Sequence, residues 1–239
     1  MAAPSFVAAS AIGDSLTGGN IVLTLPGHAT DDVGLIVVWN RSISGTQHAV
    51  TDWTRLAQWD DTTQNDMWSV FGRRFTSGAE TNPTITCDSG TGDSFAMCGV
   101  YRGCITTEVP WEVIGTPAFS ATNPLTITGI VTLSAESLVV VLGGYGDNNA
   151  TAVTVTGTDP AAYTEHYTES ATGGDGSVFI AEAERSAAGA TGNITADWGI
   201  TLTGTADASG IAIALKPPAV VTTPAPPILR RDRRIVPLL

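Results

Sequence analysis

Short runs rich in Val, Ile, Thr and aromatic residues recur along the chain, separated by clusters of Gly, Asp, Asn and Pro. In the first hundred residues they span Asn20 to Leu25, Gly34 to Trp39, Trp53 to Trp59, Met67 to Phe75, Thr84 to Cys87 and Phe95 to Tyr101. Further on they span Leu125 to Thr128, Ser137 to Leu142, Ala152 to Thr156, Tyr163 to Tyr167, Ser177 to Ala183, Asn193 to Trp198 and Gly210 to Leu215. Short runs of this composition between turn formers predict strands, and their close, regular spacing predicts an all-β antiparallel sandwich. A helix would need a capped apolar stripe over about a dozen residues. Ala181 to Ala190 alone could be read that way, and it reads equally as strand plus turn.

The runs form two parallel series. Gly34-Leu-Ile-Val-Val-Trp39 matches Ser137-Leu-Val-Val-Val-Leu142, Ser69-Val-Phe71 matches Ser177-Val-Phe179, Ile85 matches Ile194, and Gly99-Val-Tyr-Arg102 matches Ile213-Ala-Leu-Lys216. Matches in order at nearly constant offset predict an internal repeat, approximately residues 5–104 and 118–217. Two architectures follow: tandem sandwiches of about a hundred residues each, or one larger jelly-roll-like sandwich in which two similar halves interleave. Pro110, Pro117 and Pro124 punctuate what reads as further strand and loop between the halves. That continuity favours a single unit over residues 1–217.

Charge changes the picture at the end of the chain. Five basic residues from Lys216 onward face Asp232 alone, whereas residues 1–215 hold the other 6 basic and 22 acidic side chains. Pro217, Pro218, Pro224, Pro226 and Pro227 disfavour helix and central strand, so residues 218–239 are expected to form an extended arm. Its tip carries Arg230, Arg231, Arg233 and Arg234 among Ile228, Leu229, Ile235, Val236, Leu238 and Leu239. Guanidinium groups to pair with carboxylates and aliphatic groups to bury in grooves make this tip the expected partner-binding element. An acidic body argues against nucleic-acid binding, which needs a clustered basic face.

With 239 residues, 43% hydrophobic and 14% charged, the chain can bury a substantial core and lies outside the disordered range. Its start lacks a basic region and a sustained apolar run, and nothing approaches the roughly 18 apolar residues of a membrane span. Synthesis in a cytoplasm is the expectation, which leaves the sequons at Asn40, Asn149 and Asn193 without weight. Cys87, Cys98 and Cys104 are odd in number and form no Cys-x-x-Cys pair, so buried free thiols are expected.

No catalytic motif emerges. His28, His48 and His166 show no metal-hydrolase spacing, and neither a Gly-x-Ser-x-Gly elbow nor a phosphate loop is present. Glu182 and Glu184 share one side of a strand, but a solvated acidic face explains them more simply than a glycosidase pair. Asp60, Asp61 and Asp66, with Asp147 to Asn149 as a second cluster, offer the hard oxygens calcium needs. These residues are also ordinary turn formers, so no cofactor is assigned and calcium is a secondary candidate. Trp53, Arg55 and Trp59 alternate along one strand and would share a side as a glycan platform, against the simpler reading of core rings.

Six segments remain: Phe6-Val-Ala-Ala-Ser10, Gly34 to Trp39, Asp52-Trp-Thr54, Tyr101-Arg-Gly103, Glu136-Ser-Leu-Val-Val-Val141 and Gly210 to Pro217. Together they resemble a loose family of β-sandwich virion structural proteins of tailed bacteriophages and prophages. The family often has Gly where this chain has Asp52. The resemblance carries no catalytic signature. It implies a non-enzymatic virion protein, a capsid decoration or tail component present in multiple copies and contacting other virion proteins. The alternative is a glycan-binding module for attachment to the host surface.

Overall fold

In the computed structural model, residues 2–15, 19–41, 47–61, 66–87, 92–146, 152–170, 176–199 and 208–219 are described, and every regular element among them is a β-strand. The first nine are β1 (Ser5–Ala9), β2 (Gly13–Ser15), β3 (Ile21–Val22), β4 (Val33–Arg41), β5 (Ala49–Val50), β6 (Thr54–Asp61), β7 (Asp66–Arg74), β8 (Thr84–Thr86) and β9 (Ser94–Arg102). They are followed by β10 (Trp111–Ile114), β11 (Ala118–Ser120), β12 (Leu125–Ile127), β13 (Val131–Thr132), β14 (Ser137–Tyr145) and β15 (Thr154–Gly157). The last are β16 (Thr164–Ser170), β17 (Ser177–Arg185), β18 (Gly189–Ala190), β19 (Ile194–Asp197) and β20 (Ala208–Leu215).

Two large antiparallel sheets dominate. One runs β1-β9-β4-β7-β6 with β2 also on β9, and the other runs β10-β20-β14-β17-β16 with β11 also on β20. Three-stranded sheets of order β3-β8-β5 and β12-β19-β15 lie apart from them, with β13 and β18 as a short ribbon. The central strands are apolar without interruption because both their faces are covered. On β4, Val33, Leu35, Val37 and Trp39 point into a core shared with Leu138, Val140 and Leu142 of β14. Ile36 and Val38 point the other way, against Ile21, Val50, Trp53 and Ile85 under the first small sheet. On β14, Val139 and Val141 point away from the shared core, against Leu125, Ile127, Val155 and Ile194 under the second. The result is four layers, with the large sheets face to face in the middle.

The large sheets meet with their strand orders reversed. Phe6 on β1 stacks on His166 of β16 at one edge, with ring centroids 3.7 Å apart and planes 10° apart. Trp59 on β6 stacks on Phe119 of β11 at the other, at 3.5 Å and 15°.

This arrangement corrects the expected interleaving. Each large sheet is built from one part of the chain, residues 5–102 or 111–215, and the parts share a core without exchanging strands. The second set of strands also begins at Trp111, ahead of the expected 118, because β10 already pairs with β20 through Trp111↔Leu215. The four matched sequence pairs fall on β4 and β14, β7 and β17, β8 and β19, and β9 and β20. These strands hold equivalent places in the two orders. The stretch Ala181 to Ala190 is strand, turn and strand, since β17 runs to Arg185 and β18 follows.

Candidate functional site

The structure separates the tryptophans proposed as a platform. A β-bulge at Leu56 shifts the register of β6 against β7 between Arg55 and Ala57, which breaks the alternation that would align residues 53, 55, 57 and 59. Trp53 turns to the outer layer, 8% exposed, with its ring edge-on to Phe75 at 5.9 Å and 78°. Trp59 turns to the seam between the large sheets, where it meets Phe119. Arg55 stays exposed and donates to Gln47 Oε1 at 2.6 Å and Gln58 Oε1 at 2.5 Å. The three therefore form no shared face.

Of the calcium candidates, Asp60 is exposed, while Asp66 is buried at the start of β7, where it pairs in register with Asp61. Among the described residues, no three His, Cys, Asp or Glu side chains are placed to hold a metal. Asp147 to Asn149 lie outside the described residues, as do Ile228, Leu229, Arg230, Arg231, Arg233, Arg234, Ile235, Val236, Leu238 and Leu239 of the arm's tip. The three thiols are buried, and burial pushes Cys104 up to about 12 and Cys98 higher still. Cys98 and Cys104 therefore have little nucleophilic character at neutral pH.

Each histidine sits in a local contact. His28 Nδ1 lies 2.8 Å from the Pro26 carbonyl, and its Nε2 accepts from the Glu80 N–H. His48 Nδ1 lies 2.9 Å from the buried Ser69 hydroxyl. His166 Nε2 lies 2.9 Å from Glu182 Oε1 in the seam. The Phe6 N–H, on the facing sheet, also favours the charged form of Glu182. Its burial raises its pKa above the ordinary carboxylate value, against the opposing pull of His166. Glu182 is therefore a seam residue and not part of a solvated acidic face.

The root of the arm is held firmly. Lys216 follows β20, and its N–H donates to the Pro110 carbonyl at 2.7 Å while its own carbonyl accepts from Ile105 at 3.1 Å. Its ammonium pairs with Glu108 at 2.6 Å. Arg74, at the end of β7, donates to the carbonyls of Ile105 and Glu108, so a first-sheet side chain clamps the same connection. Asp32, almost fully buried, takes Arg102 in two bonds of 2.8 and 2.6 Å. Burial works to raise the Asp32 pKa, but the Arg102 guanidinium and the Ala29 N–H outweigh it and hold it below the usual value.

Two clefts open beside this clamp. The larger, about 500 Å³, lies where β6 and β7 meet the connection into β10, and is lined by Asp52, Thr54, Arg73, Thr76, Glu108 and Trp111 among others. The smaller, about 180 Å³, is lined by Thr51, Trp53, Thr81, Asn82 and Thr84, and shares Asp52 and Arg73 with the larger. The Trp111 ring can lie over β7 because residue 72 is glycine: a Cβ there would sit 2.8 Å from Trp111 Cζ3. Asp52 adopts φ 65°, the left-handed conformation that a glycine would take and that Asp tolerates. Neither Asp52 nor Trp111 was singled out for binding from sequence, because no local motif links residues 59 positions apart. No protein-family model, curated protein or solved structure matches this chain.

Proposed function

We propose that this chain is a non-enzymatic structural component of a tailed-phage particle, a surface decoration or tail-associated protein attached through its C-terminal arm. The observation that carries the reading is the fixed root. The chain leaves the seam between two large sheets at Lys216, bracketed by Ile105 and Pro110 and ion-paired to Glu108. A rigid acidic body holding a basic, apolar terminus at a defined exit point suits display on an assembly. A proline-rich stem restricts the conformations available before docking, which lowers the ordering entropy lost on binding. The partners are other virion proteins with acidic, grooved surfaces, the protein is present in multiple copies, and synthesis is in the host cytoplasm.

Deleting residues 220–239 tests the assignment. The truncated chain should melt at the same temperature as the full chain, because the fixed root and both large sheets remain. It should be absent from purified particles, as read by quantitative mass spectrometry. Incorporation at the full-length level would sink the anchoring role.

A further inference from the structure

We propose that the two clefts sharing Asp52 and Arg73 form one groove that binds a neutral oligosaccharide, with Trp111 over the larger subsite and Trp53 walling the smaller. The lining favours hydroxyl-rich ligands. Thr51, Thr54, Thr81 and Thr84 are exposed threonines around the two cavities, and Asn82 adds an amide. A half-buried indole provides the flat apolar face on which a pyranose ring stacks, while a carboxylate and side-chain hydroxyls supply acceptors and donors for its rim. The larger cavity, about 500 Å³, falls in the range of small-ligand sites.

Charge bookkeeping within the groove separates a neutral from an acidic saccharide. Arg73 is matched by Glu80 at 2.9 Å. Arg74 is directed at the main-chain carbonyls of Asp31, Ile105 and Glu108. Glu108 is matched by Lys216 at 2.6 Å. Asp52 then remains as an exposed carboxylate in the wall common to both cavities. Arg74 keeps its charge but has donors engaged by carbonyls, so a sulfated or carboxylated chain would meet Asp52 without a guanidinium fork turned towards it, whereas a neutral sugar hydroxyl can donate to Asp52. Trp59 is not among the residues that line either cavity, and the binding test does not involve residues 220–239, so the inference stands apart from the arm-anchoring reading.

The test is calorimetric titration of the full chain with malto-, isomalto-, cello- and chitohexaose, beside sialyllactose and a heparin hexasaccharide. The expected result is saturable binding of at least one neutral hexasaccharide, weakened about tenfold or more in Trp111→Ala, as for loss of one well-placed contact. Trp111→Ala also removes seam packing, so Thr54→Arg, which crowds the larger cavity from an exposed position, serves as the second variant. It should melt as the wild type does and lose binding equally. Trp59→Ala and the chain lacking residues 220–239 should bind as the full chain does. Failure of every neutral hexasaccharide to bind, undiminished binding in Thr54→Arg, or preference for the acidic saccharides would each overturn the proposal.

Discussion

The two edges of the seam occupy equivalent places yet are closed differently. Phe6 precedes a bulge in β1 and pairs with Tyr101, and Trp111 precedes a bulge in β10 and pairs with Leu215. Each ring reaches across to the other large sheet. Phe6 lands on His166, the extra residue of the β16 bulge, with Glu182 beside it. Trp111 lands on Gly72 and reaches towards Leu56, the extra residue of the β6 bulge. One edge is thus closed by a ring and a half-buried polar pair, while the other is closed by apolar contact and leaves a cleft. Equivalent backbone positions do not dictate equivalent chemistry, because the residue at each bulge decides whether the seam is polar or dry.

The comparison breaks first at the rings. Trp111→Ala should destabilise the protein by about 2–4 kcal/mol in urea unfolding, somewhat below the range for a fully buried aromatic because the indole is only partly buried. Phe6→Ala should cost less, since the ring is smaller and its neighbour His166 can rehydrate. Equal losses would mean that the two edges are energetically alike despite their different side chains.

Glycine substitutions sharpen the contrast. A Cβ on Gly72 would lie 2.8 Å from Trp111 Cζ3 and 2.9 Å from Leu56 Cδ1, whereas one on Gly99 would lie 3.0 Å from the Tyr101 hydroxyl and 3.1 Å from Ile180 Cδ1. Gly72→Ala should therefore cost about 1–3 kcal/mol through overpacking, and Gly99→Ala less, as read from urea midpoints. A larger loss at Gly99 would show that the polar edge is the less yielding one.

The smallest expected effect is electrostatic. Burial raises the Glu182 pKa in the fold, so the native state holds that proton more tightly than the unfolded chain does. Stability from this group is fully present below the ordinary value of 4.5 and falls as pH rises through the raised folded value. Glu182→Gln should remove that decline and flatten the urea midpoint against pH above 4.5. An unchanged profile would remove Glu182 from the account of this edge.

Much of the strand pattern was legible in the sequence, and its gaps have a physical cause. β4, β7, β9, β14, β17 and β20 were visible because their apolar runs are long enough to stand out against the turns. β2 is Gly-Asp-Ser, and β5, β13 and β18 have two residues each. Strands so short carry no period and are recruited by a neighbour's unpaired edge. The glycan platform on Trp53, Arg55 and Trp59 failed for a related reason. Strict alternation holds only where pairing is regular, and nothing in the residues around Leu56 announces a bulge. Burial of Glu182 was equally hidden, since its place two residues from Glu184 reads the same on a wet face as in a seam.

The sequence by itself determined the all-β class, the order of the main strands and the split between an acidic body and a basic terminus. Each of these is local, written in the alternation of side chains or in the count of charges along a segment. Tertiary structure alone decided that the large sheets face each other in reversed order, that the two series share a core without exchanging strands, and that Asp52 and Trp111 border one groove. Those outcomes depend on which faces bury each other, a matter of packing between residues far apart in the chain, which no local pattern encodes.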